Sequence, residues 1–194
     1  MKCVLATNNK GKAAEFAVLL NGFFEIVTLA EAGVTEDIPE TGATFSENAI
    51  QKAEYVCAKT NLPALADDSG LCVDALGGAP GVYSARYAGT HGDDRANREK
   101  LLREMLNKNN RKAHFACVLA LARPGQPTIT VEGRVDGRIA YEEKGENGFG
   151  YDSVFAPFIE GEKNSRTFAQ MGEGEKNGFS HRARACFTLF PGKC

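Results

Sequence analysis

Two adjacent acids, Asp67 and Asp68, followed by Ser69 and Gly70, carry the most reactive chemistry in the chain. A short apolar run (62–66) leads into them, and a second leads out towards a Gly77-Gly78-Ala79-Pro80-Gly81 loop. Carboxylates delivered to a strand end suit a hard divalent cation or a general base. The same Asp, Ser and Gly residues also favour a solvated turn. A second polar group, Thr7-Asn8-Asn9-Lys10-Gly11-Lys12, reads as a loop between a buried strand (2–7) and a helix (12–21). Such a connection aims backbone N–H groups and the positive end of a helix at an anion, and two lysines add point charges for phosphate. It also reads as an ordinary strand-to-helix link with solvated lysines. It is not a Walker P-loop, because the first Gly is missing and Ala13 stands where Ser or Thr is needed.

Further candidates follow along the chain. Glu40 and Thr41 lie just ahead of a helix whose start is marked by Thr44 and Glu47, a capping box. Glu40 is then either a partner of the helix dipole or a second carboxylate for a metal. Asn48 and Lys52 lie one turn apart, so both can point into one cleft. Gly145 to Asp152 is Gly-rich and holds Phe149 and Tyr151; an aromatic between glycines can lie flat against a base. Near the C-terminus Ser180 caps a final helix, with His181 and Arg182 in its first turn and Lys176 shortly before. Cations there oppose the helix dipole, which hints that they face an anion or a keto oxygen, although such residues are commonly surface groups.

The elements that must position these groups alternate. Strands are expected at 2–7, 23–29, 112–122, 128–139 and 153–158, and helices at 12–21, from Thr44 onward, at 93–106 and after Ser180. The link Arg123-Pro124-Gly125-Gln126-Pro127 reads as a hairpin, so part of the sheet is antiparallel. With 194 residues a single domain, bilobed at most, can bury a sizeable core. A net charge of −2 gives no overall basic field for a nucleic-acid polymer. The six cysteines are scattered without a C-x-x-C pair, which speaks against zinc and a disulfide framework and for a reducing cytoplasm. The apolar N-terminal run is too short for a signal peptide, and no segment is expected to span a membrane.

Taken together, a phosphate loop with Lys10 and Lys12, the carboxylates Glu40, Asp67 and Asp68, an aromatic glycine loop and the Lys176/His181/Arg182 cluster suit a nucleoside triphosphate with Mg²⁺. The same blocks, in the same order, resemble the inosine/xanthosine triphosphate pyrophosphatases, the Ham1-like family, in its bacterial form. The resemblance rests on Thr7 to Lys12, Glu40-Thr41-Gly42 with Thr44 to Ala49, Ala66 to Leu71, Gly77 to Tyr87, Gly148 to Asp152, and Lys176 with Ser180-His181-Arg182. It implies one domain over residues 1–194 with a two-lobed α/β fold: an elongated, twisted mixed sheet flanked by helices, with the active-site cleft between the lobes. It implies a homodimer that hydrolyses ITP, dITP or XTP to the monophosphate and pyrophosphate with Mg²⁺. By matching position, Asp68 is the general base and a metal ligand, and Glu40 helps hold the metal. Thr7, Asn8, Asn9, Lys10, Gly11, Lys12, Ser69 and Lys176 contact substrate; Phe149, Gly150, Tyr151, Asp152, His181 and Arg182 surround the base. Asp67 is either a further ligand or a supporting group. Two alternatives stay open: a pyrophosphatase for other modified nucleotides, and a nucleotide-binding regulator without turnover. The sequence departs from the family at Pro39, which restricts the backbone before Glu40, and in a short, proline-stopped C-terminus from Phe187 to Cys194.

Overall fold

The computed structural model describes residues 1–161 and 166–191. In chain order the elements are β1 (Lys2–Leu5), α1 (Lys10–Leu19), β2 (Glu25–Val27), α2 (Phe45–Thr60), β3 (Ala64–Val73), α3 (Asp94–Glu104), β4 (Lys112–Arg123), β5 (Gln126–Ile139), β6 (Phe155–Pro157), α4 (Glu173–Asn177) and α5 (His181–Leu189). The strands form one mixed six-stranded sheet in the order β2-β1-β3-β4-β5-β6. β1 runs parallel to β2 and to β3, whereas β5 and β6 are antiparallel. Neighbours β4 and β5 are joined by Pro124-Gly125 alone, a link short enough only for an antiparallel hairpin.

The chain divides into two compact units, one made of 1–68, 117–133 and the segment from Arg182 onward, the other of 69–116 and 134–181. In the first unit, strand alternation sorts the core onto two faces. Ala64 and Ala66 of β3 pack with Val4, Ala49, Ala53 and Val56, so α2 covers one face. Leu65 packs with Cys3, Leu5, Phe16, Leu20 and Ala185, so α1 and α5 cover the other. In the second unit Phe115, Phe155 and Phe168 meet at the centre, with Phe115 and Phe155 edge to face at 4.8 Å.

The cap expected at Thr44 is present. Its hydroxyl accepts from Glu47 N at 3.1 Å, and the Glu47 carboxylate accepts from Thr44 N at 3.1 Å. Replacing Thr44 by Ala leaves a first-turn N–H unsatisfied, so the unfolding free energy should fall by about 1 kcal/mol in a urea titration.

The structure corrects the expected elements in four places. Asp67, Asp68, Ser69 and Gly70 lie in the middle of β3, not in a turn at its end. Inside the sheet the two acids are paired with Lys12, Lys52 and Arg182. Lys10, Gly11 and Lys12 belong to the first turn of α1, because the Asn9 side chain caps the helix by accepting from Lys12 N at 3.0 Å. β2 and β6 are shorter than the apolar runs that announced them, and α4 is an additional helical turn. Residues 192–194, which include Cys194 at the end of the shortened C-terminus, lie outside the described residues. No helix among the described residues is long and apolar enough to cross a membrane.

Candidate active site

Adjacent residues of a strand point to opposite faces, and this separates Asp67 from Asp68. Asp68 shares its parity with Ala64 and Ala66 and faces α2. Its Oδ2 accepts from Asn48 Nδ2 at 3.2 Å and its Oδ1 from Lys52 Nζ at 3.2 Å. The Lys52 ammonium also donates to Glu40 Oε1 at 2.6 Å and to the Asp67 carbonyl at 2.9 Å. The loop carrying Glu40 is docked on the same helix: Thr41 N donates to Gln51 Oε1 and Gly42 N to Asn48 Oδ1. The one-turn spacing of Asn48 and Lys52 thus brings both onto Asp68, and Lys52 links Asp68 to Glu40.

Burial pushes the Asp68 carboxyl above its ordinary pKa; Lys52 and Lys12 oppose this, while the nearby charges of Asp67 and Glu40 add to it. For Lys52, burial pulls downward, but Asp68, Glu40 and Asp67 outweigh it and raise the ammonium. Asp68 is therefore a buried carboxylate with raised proton affinity, as a general base requires.

Asp67 shares its parity with Leu65 and faces α1 and α5. Its Oδ2 meets Lys12 Nζ at 3.2 Å and Arg182 Nε at 3.0 Å, and its Oδ1 accepts from the Cys117 thiol at 3.5 Å. Arg182 Nη1 donates to Glu15 Oε2 at 2.9 Å. Burial alone would raise the Asp67 carboxyl; Lys12, Arg182 and Lys52 overcome that and hold it well below the carboxylate range. Asp67 is thus ionised at neutral pH and ties together β3, α1 and α5. The expectation that Arg182 offers its donors to a base meets a different placement, with Nε and Nη1 directed at carboxylates. Ahead of Lys12, the N–H groups of Lys10 and Gly11 are those that helix geometry leaves without an intrahelical acceptor. Thr7 is partly buried and accepts from Asn9 N at 3.1 Å, while Asn8, Asn9 and Lys10 are exposed.

The second unit holds a separate group. Lys176 Nζ donates to Asp152 Oδ2 at 2.6 Å and lies 5.1 Å from the centre of the Phe149 ring. Asp152 Oδ2 also accepts from Phe149 N at 2.9 Å. Gly148, at φ +77°, makes this turn possible, since a Cβ there would collide with the Asp152 carboxylate. Gly150 is clamped from α3: its N–H donates to Asp94 Oδ2 and its carbonyl accepts from Arg98 Nη1, both at 2.9 Å. Tyr151 is buried, with its hydroxyl on the Ser84 carbonyl at 2.9 Å. The His181 ring stacks on Phe115 at 4.6 Å. Ser69 is partly buried within β3.

The polar groups thus sort into three clusters: Asp68 with Glu40, Asp67 with Lys12 and Arg182, and Phe149 with Asp152 and Lys176. Sequence reasoning left Asp94 and Arg98 out, because their helix carries no signal of the loop it clamps. It also took Ser84 as part of a motif without a role. In the structure the Ser84 hydroxyl accepts from Leu71 N at 3.0 Å, bracing the exit of β3.

The Asp68 cluster fits a hard divalent cation. Glu40 Oε1, Asp68 Oδ1 and the Asp67 carbonyl converge on one cationic centre, the Lys52 ammonium. No cluster of three acid, histidine or cysteine side chains that could hold a metal exists among the described residues. The described residues offer two carboxylates here, Asp68 and Glu40, and a cation held by so few protein groups would take its remaining ligands from substrate oxygens and water, a pattern common for Mg²⁺.

A mixed α/β sheet protein with a buried, cation-ringed carboxylate in a central strand is built to handle a phosphorylated ligand. The chain belongs to the Ham1 family, whose model matches residues 3–191. It is 51% identical to the dITP/XTP pyrophosphatase of Bacillus subtilis (strain 168), covering 97% of this chain and 94% of that protein. It is also 51% identical to the dITP/XTP pyrophosphatase of Haemophilus influenzae, covering 97% and 96%. Among solved structures it resembles the Staphylococcus aureus Ham1 protein at a TM-score of 0.85 and 42% identity, over 97% of this chain and 96% of that one.

Proposed function

We propose that this protein is a Mg²⁺-dependent pyrophosphatase that hydrolyses deaminated purine nucleoside triphosphates, ITP, dITP and XTP, to the monophosphate and pyrophosphate. The observation that carries this reading is the Asp68 cluster: a buried carboxylate held by Asn48 and Lys52, with Lys52 also on Glu40, next to Asp67, which is paired with Lys12 and Arg182. The names of the relatives supply the substrate class, and the site supplies a consistent chemistry.

Phosphoanhydride hydrolysis is mostly positioning and charge neutralisation. Asp68 accepts the proton of the attacking water while the bond between the α and β phosphates breaks and pyrophosphate leaves. Lys12, Lys52 and the N–H groups of Lys10 and Gly11 balance the charge of the phosphates, and Thr7, Asn8, Asn9 and Ser69 complete their surroundings. Asp68 and Glu40 would hold Mg²⁺, which would supply polarisation of the phosphate oxygens and a lowered pKa of water. Phe149 presents its ring to the purine, within a loop fixed by Gly150, Tyr151 and Asp152. Lys176 in α4, held beside that ring by Asp152, is the donor best placed for a 6-keto oxygen, with His181 at the start of α5 next. Arg182 acts chiefly through Asp67. A 6-amino group meeting a donor would leave buried polar atoms mismatched, at roughly 1–3 kcal/mol. The family resemblance supports a cytoplasmic homodimer.

A panel of triphosphates assayed with and without Mg²⁺ tests the reading. ITP, dITP and XTP should be hydrolysed at least about fivefold more efficiently than ATP, given a mismatch of that size. Preferred turnover of a methylated or deaminated pyrimidine triphosphate would assign the site to other modified nucleotides. Tight binding without turnover would make the protein a regulator.

A further inference from the structure

Within the second unit, a cavity of about 480 Å³ opens where the start of β4, the end of β5 and the segment after it come together. Its wall carries Arg111, Lys112, Arg138 and Lys144, with Tyr141 and Phe158, and among the described residues includes no Asp or Glu. That is unusual in a chain whose net charge is −2. Other buried cations here sit on carboxylates, as Lys52, Lys176 and Arg182 do.

Arg111 is the telling residue. It is only 8% exposed, and among the described residues its guanidinium donates to carbonyls alone: Ile139 O at 2.6 Å, Ala140 O at 2.6 Å and Met105 O at 3.1 Å. Its planar group lies over the Tyr141 ring at 4.2 Å. Carbonyls satisfy its N–H groups without cancelling its charge, and burial pulls its pKa below the usual guanidinium range, with Tyr141 opposing. No described carboxylate forms an ion pair with Arg111, Lys112 or Arg138; Lys144 reaches Glu142 at 3.4 Å, both largely exposed. A buried cation without a counter-charge is costly. An anion in the cavity would supply that charge to four cations at once. The exposed Phe158 offers a face on which a flat ring can rest. The volume is in the range of small-molecule sites, and arginine with lysine is a common phosphate-binding combination.

We propose that this cavity is a second anion site, distinct from the Asp68 cluster, which takes a polyphosphate group, either as an inorganic anion or as part of a nucleotide. Bound there, the anion bridges β4, β5 and the segment around Tyr141, elements that Arg111 already ties together from inside.

The test is an amide NMR titration of the metal-free protein, in chelator, with tripolyphosphate and separately with ATP. Saturable shifts are expected at Lys112, Arg138, Ala140 and Tyr141. In the double variant Lys112→Glu/Arg138→Glu these shifts should require at least about tenfold more ligand, while Mg²⁺-dependent hydrolysis is retained because neither residue belongs to the catalytic group. Tighter binding of ATP than of tripolyphosphate would identify a nucleotide as the occupant, and the reverse an inorganic polyphosphate. Shifts confined to residues around Lys12 and Asp68 in the wild-type protein would overturn the proposal. So would unchanged affinity at Tyr141 in a folded double variant.

Discussion

Replacing Asp68 by Asn is expected to lower the turnover number for ITP by about 10²–10⁴-fold, the usual loss when a positioned general base is removed. An amide cannot accept the proton of the attacking water at neutral pH. It can still accept a hydrogen bond from Lys52, and Lys52 keeps Glu40 and the Asp67 carbonyl as partners. The folded state should therefore survive, and circular dichroism should match the wild type. Steady-state kinetics at saturating Mg²⁺ measure the loss. Turnover near the wild-type value would remove Asp68 from the base role.

The neighbouring substitution should behave in the opposite manner. Asp67→Asn removes the fully buried anion on which the partly buried Lys12 and the buried Arg182 converge. Breaking a buried ion pair by deleting one partner costs about 3–5 kcal/mol, because the remaining charge is stranded. A urea unfolding curve should show a loss of that size, and an unchanged midpoint would contradict the account. The pH dependence follows from the direction of the shift. The folded-state pKa of Asp67 is depressed below its unfolded value of about 3.9, so its stabilisation is fully present above that pH. It is lost as pH falls through the folded-state value. The wild-type protein should lose stability in acid, and this acid dependence should be weaker in Asp67→Asn.

That division of labour was only half legible in the sequence. The residue types, the order of the blocks and the alternation of strand and helix gave the family and the kind of sheet. The cap at Thr44 and the shared face of Asn48 and Lys52 were readable because helix geometry is local. From the pair alone a turn, a cation site and a general base all stayed open; the resemblance assigned Asp68, and the role of Asp67 stayed undecided. Once both lie inside β3, alternation sends one to α2 and the other to α1 and α5. The acids there are paired with Lys12, Lys52 and Arg182, and no local pattern announces pairings with residues so distant in the chain. Asp94 and Arg98 escaped for the same reason: they act on Gly150, far along the chain. Arg182 was identified as important, but its partners, Asp67 and Glu15, are known only from the fold.

The central claim is that the bond broken lies between the α and β phosphates. ³¹P NMR of the products formed from ITP with Mg²⁺ tests it most directly. The account predicts IMP and pyrophosphate in equal amounts, with no orthophosphate. IDP and orthophosphate as the initial products would contradict it.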